Sequence, residues 1–148
     1  MTSTAEKLEI TSAEAMRALG RSLAARLRAG DVVLLHGDLG AGKTTLTQGI
    51  AAGLGVAEPV QSPTFALVVE HRGAPLMLYH LDLYRLDEPS ELEGMGYETY
   101  LSPEDGVSVI EWPERAGEWL PDGFWLVQIG HLGGDRRSVG IRRVGAAE

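Results

Sequence analysis

The sequence predicts a single α/β domain over residues 1–148, with a mixed, mostly parallel sheet that antiparallel C-terminal strands close. Short apolar runs of strand length alternate with segments of helical spacing, which is typical of parallel strands joined by helices. Two further apolar runs flank a turn at Gly133-Gly134-Asp135 and predict an antiparallel pair. No repeat, low-complexity tract or linker interrupts the chain, so we expect one domain.

The N-terminal segment predicts a strand and then a helix. Residues 7–10 form a short β-prone run. Thr11 and Glu14 make a capping-box pattern at the start of a helix, and Gly30 is expected to end it. Apolar residues recur along this helix at helical spacing: Met16, Leu19, Leu23 and Leu27.

A glycine-rich motif follows the next strand, which is predicted at residues 32–35. Residues 37–44 read GDLGAGKT and fit the pattern GxxxxGK[ST], in front of a helix predicted over residues 43–54. The glycines allow turns in which successive backbone N–H groups converge on phosphate oxygens, and the helix N-terminus adds partial positive charge. Lys43 would reach the outer phosphates, and the Thr44 hydroxyl would ligate a bridging magnesium ion. The motif therefore predicts nucleotide phosphate binding.

Lysine usage agrees with this interpretation. Arginine supplies 11 of the 13 basic residues, and Lys43 is the only lysine beyond the first ten positions. A compact ammonium is better suited than a guanidinium to a narrow space among phosphates.

Two strands are predicted after the phosphate-binding helix. Residues 56–66 are expected to form a loop. Residues 66–69 and 76–81 are apolar and β-prone, with a turn at Arg72-Gly73 between them, so they pair as a hairpin or lie as neighbouring strands.

The last third of the chain predicts two short helices and three strands. Ser90 and Glu93 form a capping-box pattern for a helix to about Leu101. Residues 107–110 predict a buried strand, and Pro113 suits the first turn of a helix to Trp119. Two strands close the sheet, at residues 124–129 and 138–142.

Two carboxylates follow predicted strands and are candidates for the metal site. Asp82 follows the strand at 76–81, and Glu111 follows the strand at 107–110. Because ligands of open parallel sheets bind at the carboxyl ends of strands, both side chains are expected in one crevice. One acid would hold the metal directly or through water, and the other would orient the attacking water. Which acid takes which role stays open, and an ordinary surface carboxylate is the alternative for each.

Several other residues each allow two interpretations. Thr64 is either a sensor of the terminal phosphate or a plain loop threonine. Trp112 is either a packed strand-end aromatic or a cover over the site or a partner contact. Arg85 fits a salt bridge better than a role in catalysis, and His80 and His36 fit hydrogen-bonded histidines better than acids or bases.

Composition and charge restrict the function classes. The chain lacks cysteine, which excludes disulfides, thiolate metal sites and cysteine nucleophiles. It has a polar start and no long apolar segment, so we expect a cytoplasmic protein with no membrane partner. The net charge is −8, and residues 82–122 hold twelve acidic residues with only two arginines. This segment disfavours direct binding of nucleic acid and suits either a basic protein surface or plain solvation.

The motifs together resemble the TsaE family, formerly called YjeE, of small bacterial ATPases of tRNA threonylcarbamoyladenosine synthesis. Four stretches carry the resemblance, in this order: HGDLGAGKTT at 36–45, SPTF at 62–65, HLDLYRL at 80–86 and EWP at 111–113. The resemblance runs from about residue 10 to residue 120. It implies a P-loop NTPase-like three-layer fold, ATP as the nucleotide, and two partner proteins, TsaB and TsaD. Those partners transfer the threonylcarbamoyl group, so tRNA would be met only through the complex.

The resemblance also implies roles for individual residues. Lys43, Asp82 and Glu111 would be catalytic, and Thr44 and Glu111 would bind Mg²⁺. Thr64 would lie in a switch-like loop, and Trp112 beside the site. The residues expected to contact ATP are Asp38, Leu39, Gly40, Ala41, Gly42, Lys43, Thr44, Thr45, Thr64 and Trp112.

Two other functions fit the motif. A small-molecule kinase would need an arginine-bearing lid, for which residues 82–122 offer only Arg85 and Arg115. A nucleotide-sensing adaptor would bind ATP and barely hydrolyse it. The guanine-specific NKxD motif does not occur in the sequence, which only mildly favours adenine.

Overall fold

The structure is a computed structural model that describes residues 6–38, 42–60, 68–84, 90–91 and 96–145. The strands are β1 (Glu6–Ile10), β2 (Val32–His36), β3 (Val68–His71), β4 (Met77–Asp82), β5 (Gly106–Glu111), β6 (Phe124–Gly133) and β7 (Arg136–Val144). The helices are α1 (Ala13–Ala24), α2 (Lys43–Gly53) and α3 (Glu98–Leu101), and a 3₁₀ segment spans Pro113–Trp119. In these residues, no helix is both long and apolar enough to cross a membrane.

The strands of the described residues form one seven-stranded sheet in the order β1-β7-β6-β2-β5-β4-β3. The four central strands, β6, β2, β5 and β4, run parallel, and β3, β7 and β1 add antiparallel edges. This confirms the predicted fold class. The C-terminal closure differs in one respect, because β6 belongs to the parallel centre and only β7 runs against it on that side; β1 pairs antiparallel with β7 and so runs in the direction of the centre. A hairpin turn fixes how its two strands pair with each other and says nothing about their direction relative to β2.

Helices α1 and α2 pack together on one face of the sheet at unusually short range. A Cβ atom added at Gly49 would lie 2.1 Å from the carbonyl oxygen of Arg17, and one at Gly20 would lie 2.4 Å from that of Leu46. The two backbones therefore touch where neither helix has a side chain. Buried residues of this face include Leu23, Val33, Leu35, Leu46, Ile50, Val107, Val109, Val127 and Ile141.

The other face is covered by α3, the 3₁₀ segment and their neighbouring loops. Tyr97, Ala116 and the half-buried Trp119 pack there against strand residues. The strand residues of this second core are Val32, Leu34, Tyr79, Leu81 and Ile110. The sheet thus lies between two helical layers.

Helix α1 begins and ends differently from the prediction. The N-cap is Ser12, whose hydroxyl accepts a hydrogen bond from the Ala15 N–H at 3.0 Å, and Thr11 lies one residue too early for this role. The helix ends at Ala24, before Gly30, because the Leu27 N–H bonds the Ala24 carbonyl three residues back and tightens the chain into turns.

The remaining elements largely match the prediction. β3 and β4 pair as antiparallel neighbours, and β5 and the 3₁₀ segment lie where expected. The helix predicted from Ser90 to about Leu101 is not one continuous helix, since Ser90 and Glu91 have 3₁₀ conformation and α3 begins at Glu98. Gly96, at φ +68°, breaks the helical path just before it, and no side chain caps α3. Glu93 lies outside the described residues.

Candidate functional site

The carboxyl ends of β2, β4 and β5 meet the N-terminus of α2. β2 ends at His36, and α2 begins at Lys43 with Gly42 as its N-cap. Gly42 has φ +110°, a conformation that glycine adopts without strain, and as the N-cap residue it has no side chain with which to cap the helix. The first-turn N–H groups are therefore available to an anion. The predicted contacts Leu39, Gly40, Ala41 and Thr64 lie outside the described residues, whereas Thr44 and Thr45 are half-buried in the first turn of α2.

The Lys43 side chain is only 5% exposed and already has protein partners. Its Nζ donates a hydrogen bond to the Gly37 carbonyl at 2.7 Å and lies 3.6 Å from the centroid of the Trp112 ring. Burial lowers the pKa of Lys43, since it disfavours the charged form. Nearby carboxylates oppose this effect: Glu111, Asp82, Glu114 and Asp38.

The two predicted acids lie side by side. Asp82 and Glu111 are register partners on the parallel strands β4 and β5, so their side chains leave the same face of the sheet. Glu111 is buried at 3% exposure, and Asp82 is half-buried. The Asp82 Oδ1 accepts a hydrogen bond from the Tyr84 N–H at 3.0 Å, which holds the chain as it leaves the strand. The fold brings Lys43, Asp82 and Glu111 to one sheet end.

A buried histidine lies beside Glu111. His80 is fully buried on β4, and its Nε2 is 2.6 Å from the Glu111 Oε2. This agrees with the prediction of a hydrogen-bonded core histidine. Sequence reasoning did not identify its partner, because register between two strands cannot be read from spacing along the chain.

Trp112 reaches Lys43 through an unusual backbone conformation. It has φ +59° and ψ +50°, which is left-handed and rare for a residue with a large side chain. The turn at Trp112 directs the chain from β5 into the 3₁₀ segment, and the indole also packs 4.9 Å from the Tyr84 ring. Trp112 is therefore both a packed aromatic and a cover over the Lys43 ammonium.

Charged groups form the rim of this site. His36 Nε2 lies 4.0 Å from the Glu114 carboxylate, and the Arg115 guanidinium lies 5.8 Å from the centroid of the Tyr84 ring. Arg85 lies outside the described residues.

The sequence prediction did not identify a pocket beside the start of α2. It has a volume of about 150 Å³ and is bounded by the start of α1, the start of α2 and the turn between β6 and β7. Its lining is Ser12, Ala13, Met16, Gly42, Thr45, Asp135 and Arg137. The sequence signals at these positions are an N-cap and a turn, and neither shows that they meet.

The donor chemistry here fits Mg²⁺. The ion prefers oxygen ligands and usually takes one or two from protein, completing its shell with phosphate oxygens and water. Thr44, at the second position of α2, supplies a hydroxyl, and Asp82 and Glu111 supply adjacent carboxylates. Elsewhere in the described residues, as here, no group of three or more His, Asp or Glu side chains is placed to hold a metal ion by itself.

Comparisons with known proteins match the chain to one family. The family model for "Threonylcarbamoyl adenosine biosynthesis protein TsaE" matches residues 10–139. The tRNA threonylcarbamoyladenosine biosynthesis protein TsaE of Bacillus subtilis is 39% identical over 139 residues, covering 94% of this chain and 86% of that protein. The protein of the same name from Haemophilus influenzae is 49% identical over 108 residues, covering 73% and 67%. The crystal structure of Bacillus subtilis YdiB superimposes with a TM-score of 0.83 at 34% identity, covering 98% of this chain and 89% of that one.

Proposed function

The chain belongs to the TsaE family of threonylcarbamoyl adenosine biosynthesis proteins, and from this premise we propose that it is a magnesium-dependent ATP hydrolase. It supports tRNA threonylcarbamoyladenosine modification in the cytoplasm by acting on a partner complex of the TsaB and TsaD type. One observation carries the hydrolase proposal. A buried lysine at a glycine-capped helix start lies in the field of two register-paired strand-end carboxylates.

The triphosphate is proposed to bind at the start of α2. Lys43 supplies the ammonium for the outer phosphates, and the helix N-terminus supplies N–H donors and partial charge. The contributing residues are Asp38, Leu39, Gly40, Ala41, Gly42, Lys43, Thr44 and Thr45, with Thr64 as the switch residue and Trp112 as the cover.

Thr44 and Glu111 would hold Mg²⁺. When bound, the ion neutralises charge that develops on the phosphate oxygens. Asp82 is placed beside Glu111 and is proposed to accept a hydrogen bond from the attacking water and orient it. Trp112 limits the access of other water to the reacting phosphate.

The nucleoside is proposed to occupy the pocket next to Gly42 and Thr45. That pocket adjoins the start of α2, where the phosphates are proposed to bind. Ser12, Asp135 and Arg137 offer polar groups to the ribose hydroxyls or the edge of the base. Met16 offers an apolar surface in the same wall.

Protein partners are proposed to meet the exposed acidic residues of segment 82–122. The segment holds twelve acidic residues and two arginines, and the buried Glu111 is not part of that surface. A surface with this charge attracts a basic protein and repels RNA, so tRNA would be contacted by the partners. We expect slow hydrolysis by the isolated chain. An arginine supplied in trans is worth about 10³ to 10⁵ in rate for nucleotide hydrolases of this type.

ATP turnover by the purified chain, with and without TsaB and TsaD, tests the proposal. The expected result is slow turnover alone that rises when the partners are added. The Lys43→Ala variant should lose turnover, and Lys7→Ala, which removes the only other lysine, should keep it. Fast turnover alone that partners leave unchanged, or transfer of phosphate to a metabolite, would contradict the proposal.

A further inference from the structure

His80 and Glu111 form a buried polar pair behind the phosphate site. Both residues lie in the sheet, on β4 and β5, and the His80 Nε2 is 2.6 Å from the Glu111 Oε2. His80 is 0% exposed and Glu111 is 3% exposed. A carboxylate buried this deeply needs a hydrogen-bond donor, since an unpaired buried charge is costly. His80 supplies that donor.

The surroundings of the imidazole decide which nitrogen carries the proton. The His80 Nδ1 is buried and has no hydrogen-bond partner in the described part of the chain. A proton on Nδ1 would leave an N–H without an acceptor and turn the lone pair of Nε2 towards the carboxylate oxygen. A proton on Nε2 lets the ring donate to Glu111 and leaves only an unpaired acceptor.

The Glu111 carboxylate therefore has an outer partner of its own. Its Oε2 meets a buried imidazole on the neighbouring strand β4. Metal ligands commonly have such outer partners, which fix the orientation of the ligating group.

We propose that His80 is a positioning residue: its Nε2–H fixes one oxygen of Glu111, so that Glu111 presents its other oxygen to Mg²⁺ beside Thr44. The inference rests on the proposed function, because it assigns a role within the same metal site.

Two matched substitutions separate positioning from packing. In His80→Gln the side-chain amide reaches the place of Nε2, so a donor to Glu111 is retained. In His80→Asn the amide reaches only the place of Nδ1, so the donor to Glu111 is lost. Both variants are polar and uncharged, but asparagine is the smaller and leaves the larger cavity at this buried position. ATP binding in EDTA and thermal stability are therefore measured for both variants, to separate loss of packing from loss of the donor.

The measurement is the dissociation constant of ATP by calorimetric titration, with Mg²⁺ and with EDTA. Magnesium should tighten ATP binding to the wild-type chain, and loss of an outer partner of a metal ligand costs about 10-fold to 100-fold in metal affinity. We expect His80→Asn and Glu111→Gln to lose about 10-fold or more of the magnesium effect, and His80→Gln to keep most of it. ATP affinity in EDTA should be unchanged in both His80 variants.

The outcomes are distinguishable. A wild-type magnesium effect in His80→Asn would overturn the inference. So would equal losses in His80→Asn and His80→Gln that also appear in EDTA and in thermal stability, because these indicate a structural role alone. If the wild-type chain itself binds ATP with no magnesium effect, the proposed function fails first.

A measurement on the unaltered protein guards against variants that do not fold. Long-range ¹H–¹⁵N spectra of the imidazole should show the proton on Nε2 and none on Nδ1. A proton on Nδ1 alone would overturn the inference.

Discussion

The ammonium of Lys43 lies 3.6 Å from the centroid of the Trp112 indole and 2.7 Å from the Gly37 carbonyl oxygen. These two protein groups contact the same ammonium that we propose binds the outer phosphates of the nucleotide. Such an arrangement partly solvates a buried cation, because an aromatic face and a carbonyl both attract positive charge. On the proposed account, phosphate oxygens replace these contacts when nucleotide binds.

This contact predicts a fluorescence response. When MgATP binds, the ammonium should leave the Trp112 ring, and the emission of that indole should change. The chain has three tryptophans, so the measurement uses Trp119→Phe combined with Trp125→Phe to leave Trp112 as the only indole. Adding Lys43→Ala to that background should abolish the response. A response that persists without the lysine would show that Trp112 senses something other than Lys43.

Substitutions of the two carboxylates should have different effects on turnover and on MgATP binding. Asp82→Asn removes the group proposed to orient water, so turnover should fall by about 100-fold or more while the dissociation constant of MgATP changes little. Glu111→Gln should weaken binding of MgATP as well as lower turnover. Steady-state turnover and equilibrium titration on both variants check this. Unchanged turnover with altered affinity in both would instead favour a nucleotide-sensing adaptor.

Tyr97 predicts a loss of stability at alkaline pH. Burial raises the pKa of Tyr97 from 10.0 to about 12, and its hydroxyl has no hydrogen-bond partner within the described residues. Above pH 10 the unfolded chain releases this proton and the folded chain keeps it until about pH 12. The stabilising contribution is therefore complete below pH 10 and is lost at about 1.4 kcal/mol per pH unit between these values.

The Tyr97→Phe variant tests that prediction in denaturant titrations at pH 7, 10 and 11. At pH 7 the free energy of unfolding of the variant should lie within about 1 kcal/mol of the wild-type value. Between pH 7 and pH 11 it should fall by less than the wild-type value does. Tyr79→Phe is the contrast, because its hydroxyl donates to Asp105 at 2.6 Å and its loss should cost about 1.5 kcal/mol at pH 7. Equal alkaline slopes in wild type and Tyr97→Phe would contradict the assignment.

The contact between α1 and α2 predicts a severe effect of one methyl group. In Gly49→Ala the new Cβ would lie 2.1 Å from the Arg17 carbonyl oxygen, so the helices must separate. We expect a loss of about 3 kcal/mol in the free energy of unfolding. Gly140→Ala is the control, since a Cβ there would lie 3.9 Å from the Glu6 carbonyl oxygen, an ordinary contact distance. It should change stability by less than about 1 kcal/mol. Equal effects on the midpoint of urea unfolding would contradict the packing argument.

Part of this site follows from local patterns in the sequence. The motif around Lys43 sits between a strand and a helix as predicted, because glycine spacing and apolar runs act over a few residues. Asp82 and Glu111 come together because each ends a strand, and parallel strands share an edge.

The rest depends on contacts between distant segments. The pocket is lined by Ser12 and Arg137, which are far apart in the sequence. The contact between His80 and Glu111 depends on the register between β4 and β5. The position of Trp112 depends on a left-handed backbone conformation that its residue type disfavours. The helix predicted from Ser90 to about Leu101 is interrupted at Gly96, whose left-handed backbone conformation a capping pattern does not reveal.

Titration of the wild-type chain with MgATP in a calorimeter, paired with Lys43→Ala, tests the central claim most directly. The account predicts saturable heat at one site per chain and a higher melting temperature for the wild type, with both effects lost in the variant. Wild-type protein that gives neither heat nor thermal protection, with MgATP or with a non-hydrolysable analogue, would contradict it.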